Sequence, residues 1–164
     1  PRTDGRCLVA DEEIERKFKI DPTRFLRWLM TFPPPWKKTN IVQCYLAEDP
    51  QVRIREVSGE YKMCFKYPTA DPVVRDEIEF EIPSDAALKF LSRATRVLVK
   101  ERFLVEWGDH QWEVDCIPRE PEDVWVAEVE LKSPDETVNR PIWLREEVTG
   151  QPEYSSFALA TPVK

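Results

Sequence analysis

From Glu13 onward the chain alternates charged and apolar side chains in short runs. In Glu13-Ile14-Glu15-Arg16-Lys17-Phe18, the residues Glu13, Glu15 and Lys17 project from one face of an extended chain. Arg53 and Arg55 share a face in Val52-Arg53-Ile54-Arg55, and Lys62 and Lys66 share one opposite Tyr61, Met63 and Phe65. Glu77, Glu79 and Glu81 are flanked by Ile78, Phe80 and Ile82; Lys100 and Arg102 by Val99 and Phe103; Glu113 and Asp115 by Trp112, Val114 and Cys116. Glu128 and Glu130 alternate with Ala127, Val129 and Leu131, and Lys132 continues the charged face. Each run predicts a strand. Helical spacing replaces this pattern in short stretches. Asp21-Pro22 is a cap plus an opening proline before Phe25, Trp28, Leu29 and Phe32, and Ser84 leads into Ala87, Leu88 and Leu91. A capping box with an internal proline, Ser133-Pro134-Asp135-Glu136, predicts a third helix, and Glu153 to Ala160 a fourth that closes the chain.

An antiparallel sheet with one face on a core and one in water shows such alternation by default, so no single strand is informative. The grouping is. A solvated face has no need for two or three like charges at consecutive same-side positions, and such sets repel unless neighbouring strands, metal ions or a ligand compensate them. A sheet of about seven such strands can close into a barrel, which removes its exposed edges and puts one face inside. With the charged face inside, the barrel holds a polar tunnel and its apolar outer face lies partly under the helices.

The 164 residues fit one domain, spanning 1–164. A net charge of -7 argues against general nucleic-acid binding while leaving room for a small polyanion at a local site. No apolar run has the length of a membrane span, and Pro1 to Glu12 lacks the layout of a secretory signal, so a cytoplasmic protein is expected. Cys7, Cys44, Cys64 and Cys116 form no C-x-x-C pair and His110 is the only histidine, which argues against zinc. Cys64 and Cys116 sit among apolar strand positions, where a buried free thiol is expected. His110, in Gly108-Asp109-His110-Gln111, belongs to a hairpin turn and is given no catalytic role. The six tryptophans and Phe32-Pro33-Pro34-Pro35-Trp36 read as cover for a small core; a contact surface, such as a homodimer would use, is the alternative.

Glu13-Ile14-Glu15-Arg16-Lys17-Phe18 resembles the E-x-E-x-K signature that opens the CYTH domain, the superfamily also called triphosphate tunnel metalloenzymes. Further elements follow in that family's order: Gln43-Cys44-Tyr45-Leu46, Val52-Arg53-Ile54-Arg55, Tyr61-Lys62-Met63-Cys64-Phe65-Lys66 and Arg75-Asp76-Glu77-Ile78-Glu79. After them come Val99-Lys100-Glu101-Arg102-Phe103, Trp112-Glu113-Val114-Asp115, Ala127-Glu128-Val129-Glu130, and Glu147-Val148-Thr149-Gly150 ahead of Tyr154. The likeness spans nearly the whole chain. It implies a mainly β fold, an eight-stranded antiparallel barrel with a charged interior and a few flanking helices, whose tunnel binds a triphosphate and two divalent cations.

Carried over position by position, the resemblance puts Glu13, Glu15, Asp115, Glu128 and Glu130 around Mg²⁺ or Mn²⁺, with Glu77, Glu79 and Glu113 as further acidic lining. Such hard cations prefer carboxylate and water oxygens and often share their shell with substrate phosphates. Lys17, Arg53, Arg55, Lys62, Lys66, Arg75, Lys100 and Arg102 are then expected to hold phosphate oxygens, arginine by bidentate contact and lysine as compact charge. Glu13, Glu15, Lys17 and Glu130 are the expected catalytic set, working with a metal-activated water on the terminal phosphorus. The short chain, the Gln-x-Tyr-Leu element and the Glu-Val-Thr-Gly stretch look most similar to small bacterial inorganic triphosphatases. Thiamine or nucleoside triphosphatase, class IV adenylyl cyclase and a non-catalytic triphosphate sensor are the alternatives. One departure stands out: where relatives often read Tyr-x-Asn with a basic residue nearby, this chain has Tyr154-Ser155-Ser156-Phe157.

Overall fold

The computed structural model describes residues 11–32 and 36–163. Its strands are β1 (Asp11–Ile20), β2 (Lys37–Ala47), β3 (Gln51–Val57), β4 (Glu60–Pro68), β5 (Val74–Ile82), β6 (Arg96–Trp107), β7 (His110–Ile117), β8 (Val124–Glu130), β9 (Leu144–Glu147) and β10 (Thr161–Pro162). The helices are α1 (Pro22–Thr31), α2 (Ser84–Leu91) and α3 (Ser156–Leu159), the last preceded by a 3-10 turn at Pro152–Tyr154. Neighbours run in the order β6-β2-β3-β4-β5-β1-β8-β7, every pairing is antiparallel, and β7 returns to β6. The result is a closed eight-stranded barrel, with β9 added beside β1 and β10 beside β6. No helix among the described residues is long and apolar enough to cross a membrane.

The main hydrophobic core lies outside the barrel wall. Ile14 and Phe18 of β1, Phe103 and Val105 of β6, Trp112 and Val114 of β7, and Ala127 and Val129 of β8 form one buried cluster with Phe25 and Leu29 of α1 and Trp143. Helix α1 starts where expected: the Asp21 side chain accepts from the Arg24 backbone N–H at 3.0 Å and Pro22 sits in the first turn. Its Phe25 ring meets Trp143 at 5.1 Å and Phe103 at 5.5 Å between ring centres. Truncating Phe25 to Ala is expected to cost about 3–5 kcal/mol. With the apolar side of these strands turned outward under α1, the charged side is turned into the lumen.

At one end the lumen itself becomes apolar. Tyr45, Leu98, Ile117 and Val126 form a second buried cluster with Leu159 and Ala160, so the closing segment stoppers that end. Arg96 fixes it, donating from Nη1 to the Ala160 carbonyl at 2.9 Å and lying 4.8 Å from the centre of the Phe157 ring. Gly150 has φ of +72°, and a Cβ there would meet Pro72 at 2.8 Å, so only glycine lets this loop approach the β4–β5 connection so closely.

Two expectations need correction. The third helix does not form: residues 132–143 run as an irregular strap across the outer wall. The Glu136 carboxylate does cap, but it accepts from the Lys132 backbone N–H at 2.5 Å and contacts His110 instead of opening a helix. Thr137 and Val138 are β-branched, Arg140 precedes Pro141, and buried Val138 joins the outer core, which together favour an extended path. Cys64 is indeed a buried free thiol, as are Cys44 and Cys116, but it lies on the lumen side of β4 with its Sγ 3.0 Å from Glu77 Oε1. Cys7 and Pro33 to Pro35 lie outside the described residues.

Candidate functional site

The alternation that built the strands delivers their charged residues to one cavity. An outer cavity of about 620 Å³ is lined by Glu13, Glu15, Arg55, Glu77, Glu79, Arg102, Glu113, Glu128 and Glu130. Deeper in lies a second space of about 60 Å³, where Lys17, Arg53, Lys66, Arg75 and Lys100 join Arg55 and Arg102. Two expected site residues line neither. Lys62 sits at the rim, its Nζ 3.0 Å from Glu79, and Asp115 lies beneath the lining, 2% exposed.

Strand order sorts these charges by sign. Strands β4, β3 and β6, with β2 between the last two adding no charge, contribute Lys66, Arg53, Arg55, Lys100 and Arg102 to the cavities, while β5, β1, β8 and β7 contribute Glu77, Glu79, Glu13, Glu15, Glu128, Glu130 and Glu113. Lys17 on β1 and Arg75 on β5 are the cations within the acidic half. One half of the barrel therefore presents cations and the other carboxylates.

Along the seams between the halves, opposite charges pair. Lys66 contacts Glu13 and lies 3.1 Å from Glu77. On the other seam, Asp115 receives Lys100 Nζ at 2.5 Å and Arg102 Nε and Nη2 at 2.7 and 2.8 Å. Arg102 also contacts Glu113, and its Nη2 lies 3.5 Å from Glu128. Lys17 reaches Glu128 at 2.6 Å and donates to the Tyr154 carbonyl at 3.2 Å. Burial alone would raise the Glu128 and Asp115 carboxyls. For Glu128, Lys17 and then Lys100 and Arg102 outweigh it, and for Asp115 Lys100 and Arg102 do so, leaving both ionised and low.

Compensation fails at two kinds of position. Glu15 and Glu130 are direct partners across the β1–β8 ladder, and neither forms an ion pair among the described residues. Like charges in that relation destabilise a sheet. Burial and the neighbouring Glu15 push the Glu13 carboxyl up to about 8, against the pull of Lys66. On the basic side, burial draws the Lys100 ammonium down to about 8 in spite of Asp115. A crowded carboxylate arc asks for cations, and a buried, incompletely neutralised ammonium asks for an anion.

The carboxylate oxygens around Glu13, Glu15, Glu128 and Glu130 are the donor type that hard divalent cations take, so their chemistry fits such an ion. A tighter group adjoins them on β4 and β5, where ligand atoms of Cys64, Glu77 and Glu79 lie within 4.8 Å of one another. The residues that sequence reasoning did not assign are mostly uncharged or come from loops. Ser155 and Ser156 line the inner cavity, and Asp109, His110, Lys132 and Glu136 line the mouth. Charge alternation marks only Lys132 among them, as the continuation of the charged face of Glu128 and Glu130; the others stand outside the charged strand runs or bear no charge.

Comparison with known proteins follows the same line. No family model matches the chain. An inorganic triphosphatase from Acetivibrio thermocellus is 31% identical over 123 residues, 73% of this chain and 78% of the relative. The solved structure of the inorganic triphosphatase NE1496 is 28% identical, covers 92% of this chain and 99% of that one, and superposes with a TM-score of 0.58. The adenylyl-cyclase-like protein HpAC1 from Hippeastrum shares the fold at 17% identity and a TM-score of 0.56, over 74% of this chain and 80% of that one.

Proposed function

The chain belongs to the CYTH, or triphosphate tunnel metalloenzyme, superfamily, and from that premise we propose that its lumen hydrolyses inorganic triphosphate to pyrophosphate and phosphate with the help of a divalent cation. The observation that carries this reading is the division of one lumen into a basic and an acidic half, with the facing pair Glu15 and Glu130 left without a cation. A polyphosphate and a metal ion are the two charges such a site lacks.

Arg53, Arg55, Lys66, Lys100 and Arg102 bind the phosphate chain, and Lys17 and Arg75 approach it from the opposite wall. The guanidinium forks of Arg53 and Arg55 hold oxygens in fixed directions, while Lys66 and Lys100 supply compact charge. Glu13, Glu15, Glu128 and Glu130 would hold Mg²⁺ or Mn²⁺, in a site for two ions, and Glu77, Glu79 and Glu113 add negative potential around them. Such an ion, when bound, neutralises phosphate charge and makes a coordinated water a better nucleophile. Asp115 spends both oxygens on Lys100 and Arg102, so it acts by positioning those cations and not by touching the ion. The protein's share of the rate is thus orientation of the triphosphate and preorganised charge. We take residues 1–164 to act as one catalytic unit.

Inorganic triphosphate is favoured over nucleoside or thiamine esters by the mouth. The outer cavity is lined by carboxylates, Gln111, Lys132 and His110, whose ring lies 3.0 Å from Glu136. Among the described residues that line it, no Phe, Tyr or Trp offers a face for an organic base to stack on.

Phosphate release from tripolyphosphate, ATP, thiamine triphosphate and pyrophosphate, each with and without Mg²⁺ or Mn²⁺, tests the proposal. Metal-dependent release from tripolyphosphate above the others is expected. Equal release without metal would overturn it, and cyclic AMP from ATP would move the chain to the cyclase branch.

A further inference from the structure

The centre of the basic half is held by an uncharged residue. Gln43, on β2, is 0% exposed, and neither Oε1 nor Nε2 has a hydrogen-bond partner among the described residues. Because both amide atoms are unpaired, the conclusion does not depend on which way the amide is turned. Buried polar groups are almost always satisfied, and an orphan amide of this kind is costly unless something completes it.

Its neighbours narrow what that something is. Gln43 is the direct cross-strand partner of Arg55 on one side and of Leu98 on the other, with Arg53 and Lys100 one same-face step along those strands. Arg53, Arg55 and Lys100 all line the inner cavity. Their side chains are donors only, so none can accept from the amide N–H groups. The Nε atoms of Arg53 and Arg55 are themselves buried without partners among the described residues. The wall thus holds two spare arginine N–H donors, one amide oxygen able to accept from either, and amide N–H groups with no acceptor beside them among these cations.

We propose that Gln43 positions the arginine pair that holds the phosphate chain. Its Oε1 accepts from the Nε–H of Arg55 or Arg53, which leaves the Nη atoms of that arginine to the substrate; Gln43 itself lines neither cavity, so it acts through the arginine and does not touch the phosphate. This inference rests on the triphosphate reading of the lumen and adds to it the residue that orients the arginine pair.

The test uses Gln43→Leu and Gln43→Glu in the full chain. Gln43→Leu removes two unsatisfied groups at similar volume, so its Tm without ligand should equal or exceed that of the parent, while KM for tripolyphosphate rises about tenfold with kcat within about threefold. Gln43→Glu should tie up both arginines and raise KM further. Should Gln43→Leu lower Tm and leave KM unchanged, the residue is structural and the proposal is wrong. Should Gln43→Leu fail to fold, an unchanged KM in Gln43→Glu overturns it equally. Calorimetric titration with tripolyphosphate separates the two levels. Parent protein that binds without hydrolysis sinks the hydrolytic reading, and the loss of affinity in Gln43→Leu still decides the role of Gln43. Parent protein that does not bind tripolyphosphate sinks both.

Discussion

The seams of this barrel and the middles of its two halves are built on opposite principles. Where β4 meets β5 and β6 meets β7, cations and carboxylates lock together: Lys66 with Glu13 and Glu77, Lys100 and Arg102 with Asp115. In the middles, the contacts are missing or long. Arg53 and Arg55 lie 3.9 and 3.8 Å from Glu77 and Glu79, the Gln43 amide has no partner among the described residues, and Glu15 faces Glu130. Lys17 and, at 3.5 Å, Arg102 relieve the acidic middle, and both go to Glu128. A protein that needed these charges only for its own stability would have paired them throughout. The seams close the barrel, and the middles are held in an unfinished state that a polyanion and a cation complete.

That contrast breaks if residues of the two regions respond alike. The largest effect is expected for Glu15→Gln or Glu130→Gln, which keep shape and remove one of two opposed charges. Metal-dependent phosphate release should fall by about 10³-fold or more, on the scale of losing charge stabilisation in the transition state. Tm without metal should hold or rise, because a like-charge pair has gone. A seam residue should do the reverse. Asp115→Asn leaves Lys100 and Arg102 buried without their countercharge, and stability should drop by about 3–5 kcal/mol, read as the midpoint of urea unfolding. Activity lost with stability kept for Asp115→Asn, and the opposite for Glu15→Gln, would dissolve the distinction.

Much of this was legible in the alternating charges, because a period of two fixes which side chains share a face and the family's order of elements supplies the closure. Glu13, Glu15, Arg53, Arg55, Glu128 and Glu130 needed nothing more to be placed on lumen-facing positions. Pairing was not legible. Nothing in Glu113-Val114-Asp115 says that Glu113 lines the cavity while Asp115 lies beneath it, since that depends on where β6 delivers Lys100 and Arg102. The helix expected at Ser133 failed for a related reason: its capping box is intact as a sequence, but the outer wall offered Val138 a buried place that an extended strap reaches. Gln43 escaped because an uncharged side chain leaves no mark in a charge pattern, and its isolation exists only once β3 and β6 flank it.

A smaller effect is expected from Arg53→Lys, which keeps the charge and loses the fork. KM for tripolyphosphate should rise about 10- to 100-fold, the cost of a hydrogen bond to a charged group, with little change in Tm. An equal fall in kcat at constant KM would place Arg53 in the transition state alone and weaken its part in ground-state binding.

The smallest effect is a pH dependence that separates the acidic middle from the rest. Burial and Glu15 raise the Glu13 carboxyl from 4.5 to about 8, so between those values the metal-free fold keeps a proton that the unfolded chain releases. The contribution of Glu13 to stability therefore falls as pH rises through that window. A cation binding there must displace the proton, so apparent Mn²⁺ affinity should weaken about fivefold from pH 8 to pH 7, approach roughly tenfold per pH unit below that, and level off above pH 8. Glu13→Gln should flatten the profile, because no proton is left to displace. A carboxyl at the seam gives the opposite sign: Lys66 holds Glu77 down to about 2 against its burial, and its contribution is lost only as pH falls from 4.5 toward that value. Mn²⁺ affinity that stays constant from pH 6 to pH 8 in the parent protein, measured by calorimetry, would remove Glu13 from the cation site and leave Glu15 and Glu130 to hold it alone.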